Sequence, residues 1–533
     1  MQEGKCAKRY AALAKKRTFY LDEAEHSAKL TIPSMFPPNR TEEGSTPHFP
    51  QDIPSPWQNF GAFAVESLAA KYLISSFPPN QAWFRYEVTE KSLDEARAAG
   101  ADEEDVKQLR AEIQKALASR ERTVIKFFDR ENFRIAMAES FRHLVVAGNV
   151  LLNIPANGDG ARVFHLSRYV VRRGPMGRVL ELVVKESFSF DGLPKHVREL
   201  APYPPESIEQ HKDEDVPVYT HAHLDVDTKQ FHIYQEAFGQ PIPGSEGTVP
   251  EDKTPWIPLR FYTVEGESYG RSFVELYRGS LNSLEVLRRA IVEASASAAR
   301  TLFMVRPNGS TKIRHLASAP NGGFVGGSAD DVSVLRMDKS ADLNVAMNAA
   351  EVLVKELSYA FTLQTAIQRS GERVTSTEVR LLAQELESTQ GAIWSVLAKE
   401  MQLPVVKRIE SILERKGEIT SVPKGVVEPT VVTGLQAIGR NADLNKLREL
   451  TADFGNAAQV MPEIVQYLNA SVVAEKIILG HSVPSDGLLK SPEEVQEEQQ
   501  AAQQAQMQQQ LMEEASKAAP GVIQDQVQGM PEQ

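Results

Sequence analysis

Two stretches decide how this chain is built: 272–299, SFVELYRGSLNSLEVLRRAIVEASASAA, and 340–368, SADLNVAMNAAEVLVKELSYAFTLQTAIQ. In the first, Leu281, Leu284, Leu287 (or Arg288), Ile291 and Ala294 recur at helical spacing. In the second, Leu343, Met347, Ala350, Val354, Leu357 and Phe361 do the same. Apolar residues three and four apart stack on one face of a helix. The spacing predicts two long amphipathic helices, the second about 40 Å long at about 1.5 Å per residue. Between them lies an α/β insert, 300–339, rich in Gly, Pro and Asn over 305–330 and closing on a strand-like Val332–Met337. A break at Arg369–Val374 precedes another helix over 376–400, which Thr375 and Glu378 open as a capping box. Helices of this length with one apolar stripe pack on neighbours, in the same chain or in copies of it.

Upstream, residues 5–29 read as an amphipathic helix through Tyr10, Leu13, Arg17, Tyr20 and Ala24. The Pro-rich segment 31–60 is an irregular connection, and helices follow near 58–76, 102–121 and 130–147, the last stopped by Gly148-Asn149. From 150 to about 262 the period changes to two. Val150–Ile154, Val163–Leu166, Tyr169–Arg172, Val179–Lys185, Val216–Val226 and Phe231–Glu236 read as strands, with a hairpin at Asp225–Lys229. Short helices occupy 435–480, and beyond about 491 the Gln-, Ala- and Glu-rich tail lacks the large apolar residues a packed core needs. The fold class is α+β, mainly helical.

The 533 residues carry a net charge of −12 and one cysteine, Cys6. That balance argues against a broad basic surface wrapping nucleic acid, but not against a channel through which a duplex slides. No apolar run approaches the ~20 residues that span a bilayer. A lone cysteine supports neither an internal disulfide nor a cysteine-based zinc site. There is no G-x-x-x-x-G-K-[ST], no H-E-x-x-H and no G-x-S-x-G. The nearest thing to a phosphate cradle, Gly322-Gly323-Phe324-Val325-Gly326-Gly327-Ser328, lacks the lysine and reads as a turn. His221 and His223 alternate on one strand with Asp225, so all three share a face. They are a candidate metal set for a hydrolase, weighed against half-exposed residues on a sheet. No cofactor is implied.

Several blocks together resemble the portal, or head-to-tail connector, proteins of short-tailed bacteriophages of the autographivirus type. They are Thr31-Ile-Pro-Ser-Met-Phe-Pro37, Leu144–Leu152, Val218-Tyr-Thr-His221, Gly266–Ser272, Gln368–Thr375, and Val427–Thr430 through Gly434–Arg440. The resemblance runs to about residue 450. It implies a phage portal fold, with about twelve copies in a ring around an axial channel. Residues 1–265 and 376–430 would form a wing, the helices within 266–299 and 340–368 a stem, 300–339 a clip, 369–375 a channel loop, and 431–490 a crown, followed by the tail 491–533.

The implied function is that of a non-enzymatic conduit at a capsid vertex of the virion, assembled in the host cytoplasm, for DNA packaging and ejection. The implied partners are double-stranded DNA, the terminase large subunit and then the tail adaptor, the major capsid and scaffolding proteins, and internal core proteins. Arg369 and Arg373 are the candidate DNA contacts of the channel loop. The alternative is that Arg369 caps its helix and Arg373 pairs with a carboxylate. Glu351, Lys355 and Glu356 are candidates for the channel lining. The rival functions are an internal core or scaffolding protein, against which the β region speaks, and the metal-dependent hydrolase.

Overall fold

The computed structural model describes residues 4–37, 53–79, 82–88, 103–204, 211–298, 302–320, 322–335, 340–363, 393–421, 427–431 and 450–456. The chain divides into two compact units, Met1–Ala437 and Ile438–Gln533. In the second unit, residues 450–456 are helical. All labelled elements belong to the first.

Helix α1 (Lys5–Lys29) buries Tyr10, Leu13, Arg17 and Ala24 from the expected stripe. A fully buried arginine needs acceptors, since a desolvated cation without them is costly. Arg17 Nη1 finds three: the Tyr10 hydroxyl at 3.0 Å and the carbonyls of Ser167 and Tyr169 at 3.0 and 2.7 Å. Next come α2 (Phe60–Ser76), β1 (Phe84–Val88), α3 (Glu103–Arg130) and α4 (Phe133–Ala147). Helix α3 outruns the predicted end at 121, because Val124, Phe127 and Phe128 prolong its buried stripe. It breaks at Asn132, which takes the left-handed conformation. Helix α4 stops where the sequence placed the stop. Gly148 is left-handed, and a Cβ there would sit 2.4 Å from the Arg271 backbone.

The β region begins with β2 (Asn149–Asn153) and β3 (Arg162–Phe164), then β4 (Tyr169–Arg173), β5 (Val179–Ser189), β6 (Asp215–Asp225), β7 (Gln230–Ala237), β8 (Gln240–Pro241), β9 (Gly247–Pro250) and β10 (Trp256–Arg260). Strands β10-β2-β3 form one antiparallel sheet. A six-stranded sheet orders as β4-β5-β6-β7-β8, with β9 also on β7. Strand β2 is buried on both faces, so it reads as a continuous apolar run, whereas β6 alternates. The predicted hairpin is present: Asp225 accepts from Asp227 N at 3.0 Å and Thr228 Oγ1 at 2.8 Å, and Lys229 is left-handed.

The second half supplies α5 (Phe273–Ala298), β11 (Leu302–Val305), β12 (Val332–Leu335), α6 (Ser340–Ala360), α7 (Leu403–Lys416) and β13 (Val427–Val431). The helix expected over 376–400 is described from Ile393, and it does not end at 400. It passes through one π-helical turn, Ala398–Gln402, into α7. Strand β13 pairs antiparallel with β1, Phe84 opposite Val431, tying the end of the unit back to its N-terminal part. Aromatic rings fill the core: Phe77 stacks on Phe128 at 5.2 Å and Tyr72 on Phe141 at 5.9 Å. Each such side chain contributes roughly 1.5–3 kcal/mol on burial.

Candidate functional site

Helices α5 and α6 pack against each other through Leu281 and Leu284 on one side and Ala350 and Leu357 on the other, all buried. Phe361 closes the end of this contact, with Phe273 edge-on at 4.9 Å and Tyr277 at 5.7 Å. Glu351, Lys355 and Glu356 are all exposed, so the structure keeps the three on the solvated side of α6. With Asp342 they are the only charges of this helix: three carboxylates against one lysine. Its free surface is therefore net acidic.

Helix α6 ends at Ala360, eight residues before the predicted end at Gln368. The reason lies in the three residues that follow. Thr362 is left-handed, with φ 55°. Its N–H donates to the Tyr359 carbonyl at 3.1 Å, while Leu363 N donates to Ser358 at 2.7 Å. That pair of bonds is a Schellman cap. It occurs here on a β-branched residue, for which the left-handed conformation is unfavourable. Buried Lys71 of α2 holds the turn by donating to the Thr362 carbonyl, with Thr362 Oγ1 at 3.4 Å. Apolar spacing continues through Phe361 and shows none of this. Arg369 and Arg373, the sequence's first candidates, lie outside the described residues.

The insert is a compact unit built on the β11–β12 ladder, Leu302 opposite Leu335 through Val305 opposite Val332. Its polar centre is Asp331. The carboxylate accepts from Ser310 Oγ at 3.0 Å and from Thr311 N and Oγ1 at 3.1 Å each. Those bonds, Ser310 Oγ foremost, hold its pKa below the usual carboxylate range. Thr311 Oγ1 in turn receives Ser328 N at 3.0 Å. Gly327 passes so close to Thr311 that an added Cβ would lie 2.3 Å from Oγ1. The glycine-rich stretch is an irregular loop folded over this centre, in agreement with its reading as a turn. At its tip Phe324 is fully exposed.

The three members of the candidate metal set do lie along β6, but His221 and Asp225 are engaged elsewhere and His223 is exposed. His221 contacts Tyr234 Oη through Nδ1 at 3.1 Å and Glu181 Oε1 through Nε2 at 3.0 Å. Asp225 caps its hairpin. Among the described residues no group of three or more His, Cys, Asp or Glu side chains is placed to hold a metal ion. The hydrolase reading therefore loses its metal set: of the three, His221 belongs to the fastening of α1 through Glu181. Glu181 also takes a two-pronged hydrogen bond from Arg9 on α1 at 2.7 and 2.5 Å, and one from Arg172 at 3.0 Å. Burial works against its charge, yet the bonds from Arg9, His221 and Arg172 outweigh burial and hold the carboxyl far below its ordinary range. Glu236 caps the start of α1, accepting from Cys6 N at 2.9 Å and Ala7 N at 3.2 Å.

Comparison with known proteins agrees along nearly the whole chain. The family described as "Bacteriophage head to tail connecting protein" matches residues 3–489. The portal protein of Escherichia phage T7 is 36% identical over 492 residues, covering 92% of this chain and 88% of the relative. That of Enterobacteria phage T3 is also 36% identical over 492 residues, covering 91% and 88%. The portal protein of Enterobacteria phage SP6 is 30% identical over 526 residues, covering 99% and 98%. A chain from the neck of an empty gene transfer agent particle matches 80% of this chain and 90% of its own length. Its identity is 12% and its TM-score 0.36, too slight a likeness to argue from.

Proposed function

This chain belongs to the family of bacteriophage head to tail connecting proteins and is a portal protein at the head-to-tail junction; on that premise we propose that it is one subunit of a closed ring of about twelve, whose axial channel passes double-stranded DNA during packaging and ejection. Residues 1–265 and 376–430 serve as the wing, the helices within 266–299 and 340–368 as the stem, 300–339 as the clip, 369–375 as the channel loop and 431–490 as the crown. The ring sits at a capsid vertex and assembles in the host cytoplasm. Its clip meets the terminase large subunit during packaging and the tail adaptor afterwards, and its inner parts meet capsid, scaffolding and internal core proteins. It is a passive conduit, and a separate ATPase drives the DNA.

The observation that supports this most is the family match through residue 489, which takes in both long helices and the insert between them. The charge of α6 agrees. A ring repeats whatever its subunit carries, so an excess of two carboxylates per α6 becomes a lining with the sign of phosphate. Such a wall keeps DNA off its surface, whereas a basic one would bind it. Arg369 and Arg373 would place a contrasting ring of positive charge at the channel loop. Electron microscopy of the purified chain should show rings with a central channel, and monomers under every assembly condition would overturn the reading. Arg369→Ala and Arg373→Ala should leave rings intact and alter DNA retention. Unchanged packaging and retention would remove the role given to these arginines.

A further inference from the structure

Residues 5–21 of α1 hold six cations and no carboxylate, in a chain whose net charge is −12. Two of the six are committed inside the fold: Arg17 to the carbonyls of Ser167 and Tyr169, and Arg9 to Glu181. The other four, Lys5, Lys8, Lys15 and Lys16, are exposed, and none is paired with a described carboxylate. At 3.6 residues per turn the four fall within one sector of about 100°. That sector is turned away from Tyr10 and Leu13, which pack on Val170 of β4 and Val183 of β5. The row is about 16 Å long, from Lys5 to Lys16, at about 1.5 Å per residue.

The fold does not account for this placement. The first turn of a helix is the positive end of its dipole, where carboxylates are favoured and cations are not, yet α1 has no acidic residue there. Lys5 and Arg9, four apart, repel each other. A face kept only for solubility would be served better by glutamate at these positions.

The chemistry narrows the partner to a polyanion. The N–H groups of Cys6 and Ala7 already donate to Glu236, so an anion meets side chains and not the helix end. The apolar side of α1 is packed on the sheet, which leaves it no face to bury in a lipid headgroup layer. The one large apolar side chain in the sector, Phe19, lies against Arg271, whose Cζ is 4.8 Å from the ring centre. Little apolar surface is left for the anchors that dominate protein interfaces. What remains is an array of flexible point charges, which suits a repeating phosphate backbone met without regard to sequence. Its length matches about five base pairs at about 3.4 Å each.

We propose that the lysine face of α1 is a second DNA contact, outside the axial channel, which holds the phosphate backbone of duplex lying against the wing. It rests on the reading of this chain as a DNA-conducting ring subunit, and it gives that acidic chain a narrow basic surface of its own.

The test mixes preformed rings of the full chain with a covalently closed circular plasmid, which cannot thread a closed ring and so reports binding outside the channel. The logarithm of the affinity should fall linearly with the logarithm of the salt concentration. Changing Lys5, Lys8, Lys15 and Lys16 together to Gln should flatten that slope by about 1 for each lysine. The same four changed to Arg should keep the unmodified slope, as should Lys195→Gln with Lys312→Gln, which alters exposed lysines elsewhere. If the four-fold glutamine variant melts early, Lys15→Gln with Lys16→Gln alone should flatten the slope by about 2. An unchanged slope in the glutamine variants, or no binding of the plasmid by rings, overturns the proposed contact and leaves the ring reading standing. Capture of phosphatidylserine vesicles but not of plasmid also overturns it. If the unmodified chain forms no rings, the ring reading falls, and the same slopes measured on the monomer still decide the lysine face.

Discussion

Lys71, buried on α2, donates its ammonium to the main-chain carbonyl of Thr362, two residues past the end of α6 and 291 residues away in sequence. The contact joins the N-terminal helical layer to the point where the long helix stops. It compensates a left-handed threonine and satisfies a carbonyl that α6 leaves open. Replacing Lys71 by Met keeps much of the volume and removes the donor. The Thr362 carbonyl then loses this bond, at a cost of about 1–3 kcal/mol. Denaturant melts of Lys71→Met should show that loss. Thr362→Gly should be tolerated better than Thr362→Val, because glycine accepts the left-handed conformation and valine keeps the branch while losing the hydroxyl bond to the Phe361 carbonyl, 2.7 Å. Equal midpoints for Lys71→Met and the unmodified chain would show that the contact does not hold the helix end.

Acid should weaken this fold in a window set by His143. The ring is buried between Phe36 at 6.0 Å and His165 at 5.5 Å. Burial, aided by the nearby Arg142 charge, pushes its pKa down from 6.5 to about 4. Above about pH 6.5 the imidazole is neutral in both states and nothing is lost. Between 6.5 and 4 the unfolded chain takes up a proton that the folded chain refuses, so stability falls as pH falls. Below 4 the effect levels off. The full loss is on the order of 3 kcal/mol. His143→Leu should flatten the stability profile between pH 6.5 and 4 relative to the unmodified chain. Parallel profiles for the two proteins would contradict it.

Much of the fold is legible in the sequence because apolar periodicity records which face is buried. The stripe of α1, the stop at Gly148 and the alternation of β6 follow from local spacing alone. What periodicity cannot show is a partner distant in sequence. Spacing puts Arg17 on the α1 stripe but does not say how a cation can be buried there; Ser167 and Tyr169 offer the carbonyls. His221 and His223 looked like ligands, since a strand places them on one face. The register, with Glu181 opposite His223 and Tyr234 opposite His221, instead puts a carboxylate and a phenol beside them. The end of α6 escaped for the same reason. Nothing between 340 and 368 announces that a lysine at 71 will stabilise a turn at 362.

The docking of α1 should be readable through the single thiol. Cys6 is fully buried, and desolvation, the first cause, pushes its pKa up to about 11. A thiol in that state is protonated at neutral pH and reacts with a thiol reagent only when α1 lifts away. Glu181→Gln removes the charge that Arg9 and Arg172 share. Both arginines reach solvent, so the loss is discounted to ~1–2 kcal/mol. That corresponds to roughly 5- to 30-fold faster labelling of Cys6. The carboxyl's pKa is depressed on folding, so its contribution is present above about pH 4.3 and is lost as pH falls below it. Labelling of Glu181→Gln at the unmodified rate would mean that α1 is held without the Glu181 charge, by its apolar stripe, Arg17 and Glu236.

One carboxylate gathers the loops of the insert. Among its described residues Met304, Ile313 and Phe324 are exposed, and the loops meet instead at Asp331, which binds Ser310 and Thr311. Ser310 Oγ, Thr311 N and Thr311 Oγ1 all converge on Asp331 Oδ2, so Asp331→Asn keeps the shape but replaces a charged acceptor by a weaker neutral one. The loops 306–311 and 326–331 should loosen while α5 and α6, whose contact lies elsewhere, stay in place. Limited proteolysis is the discriminating measurement. Asp331→Asn should be cut faster between 306 and 331, with unchanged melting of the rest of the subunit. Asp330→Asn should behave as the unmodified chain, because no described hydrogen bond to the insert runs through that exposed side chain. Equal cleavage rates for Asp331→Asn and Asp330→Asn would show that the ladder between β11 and β12 suffices to hold the insert together.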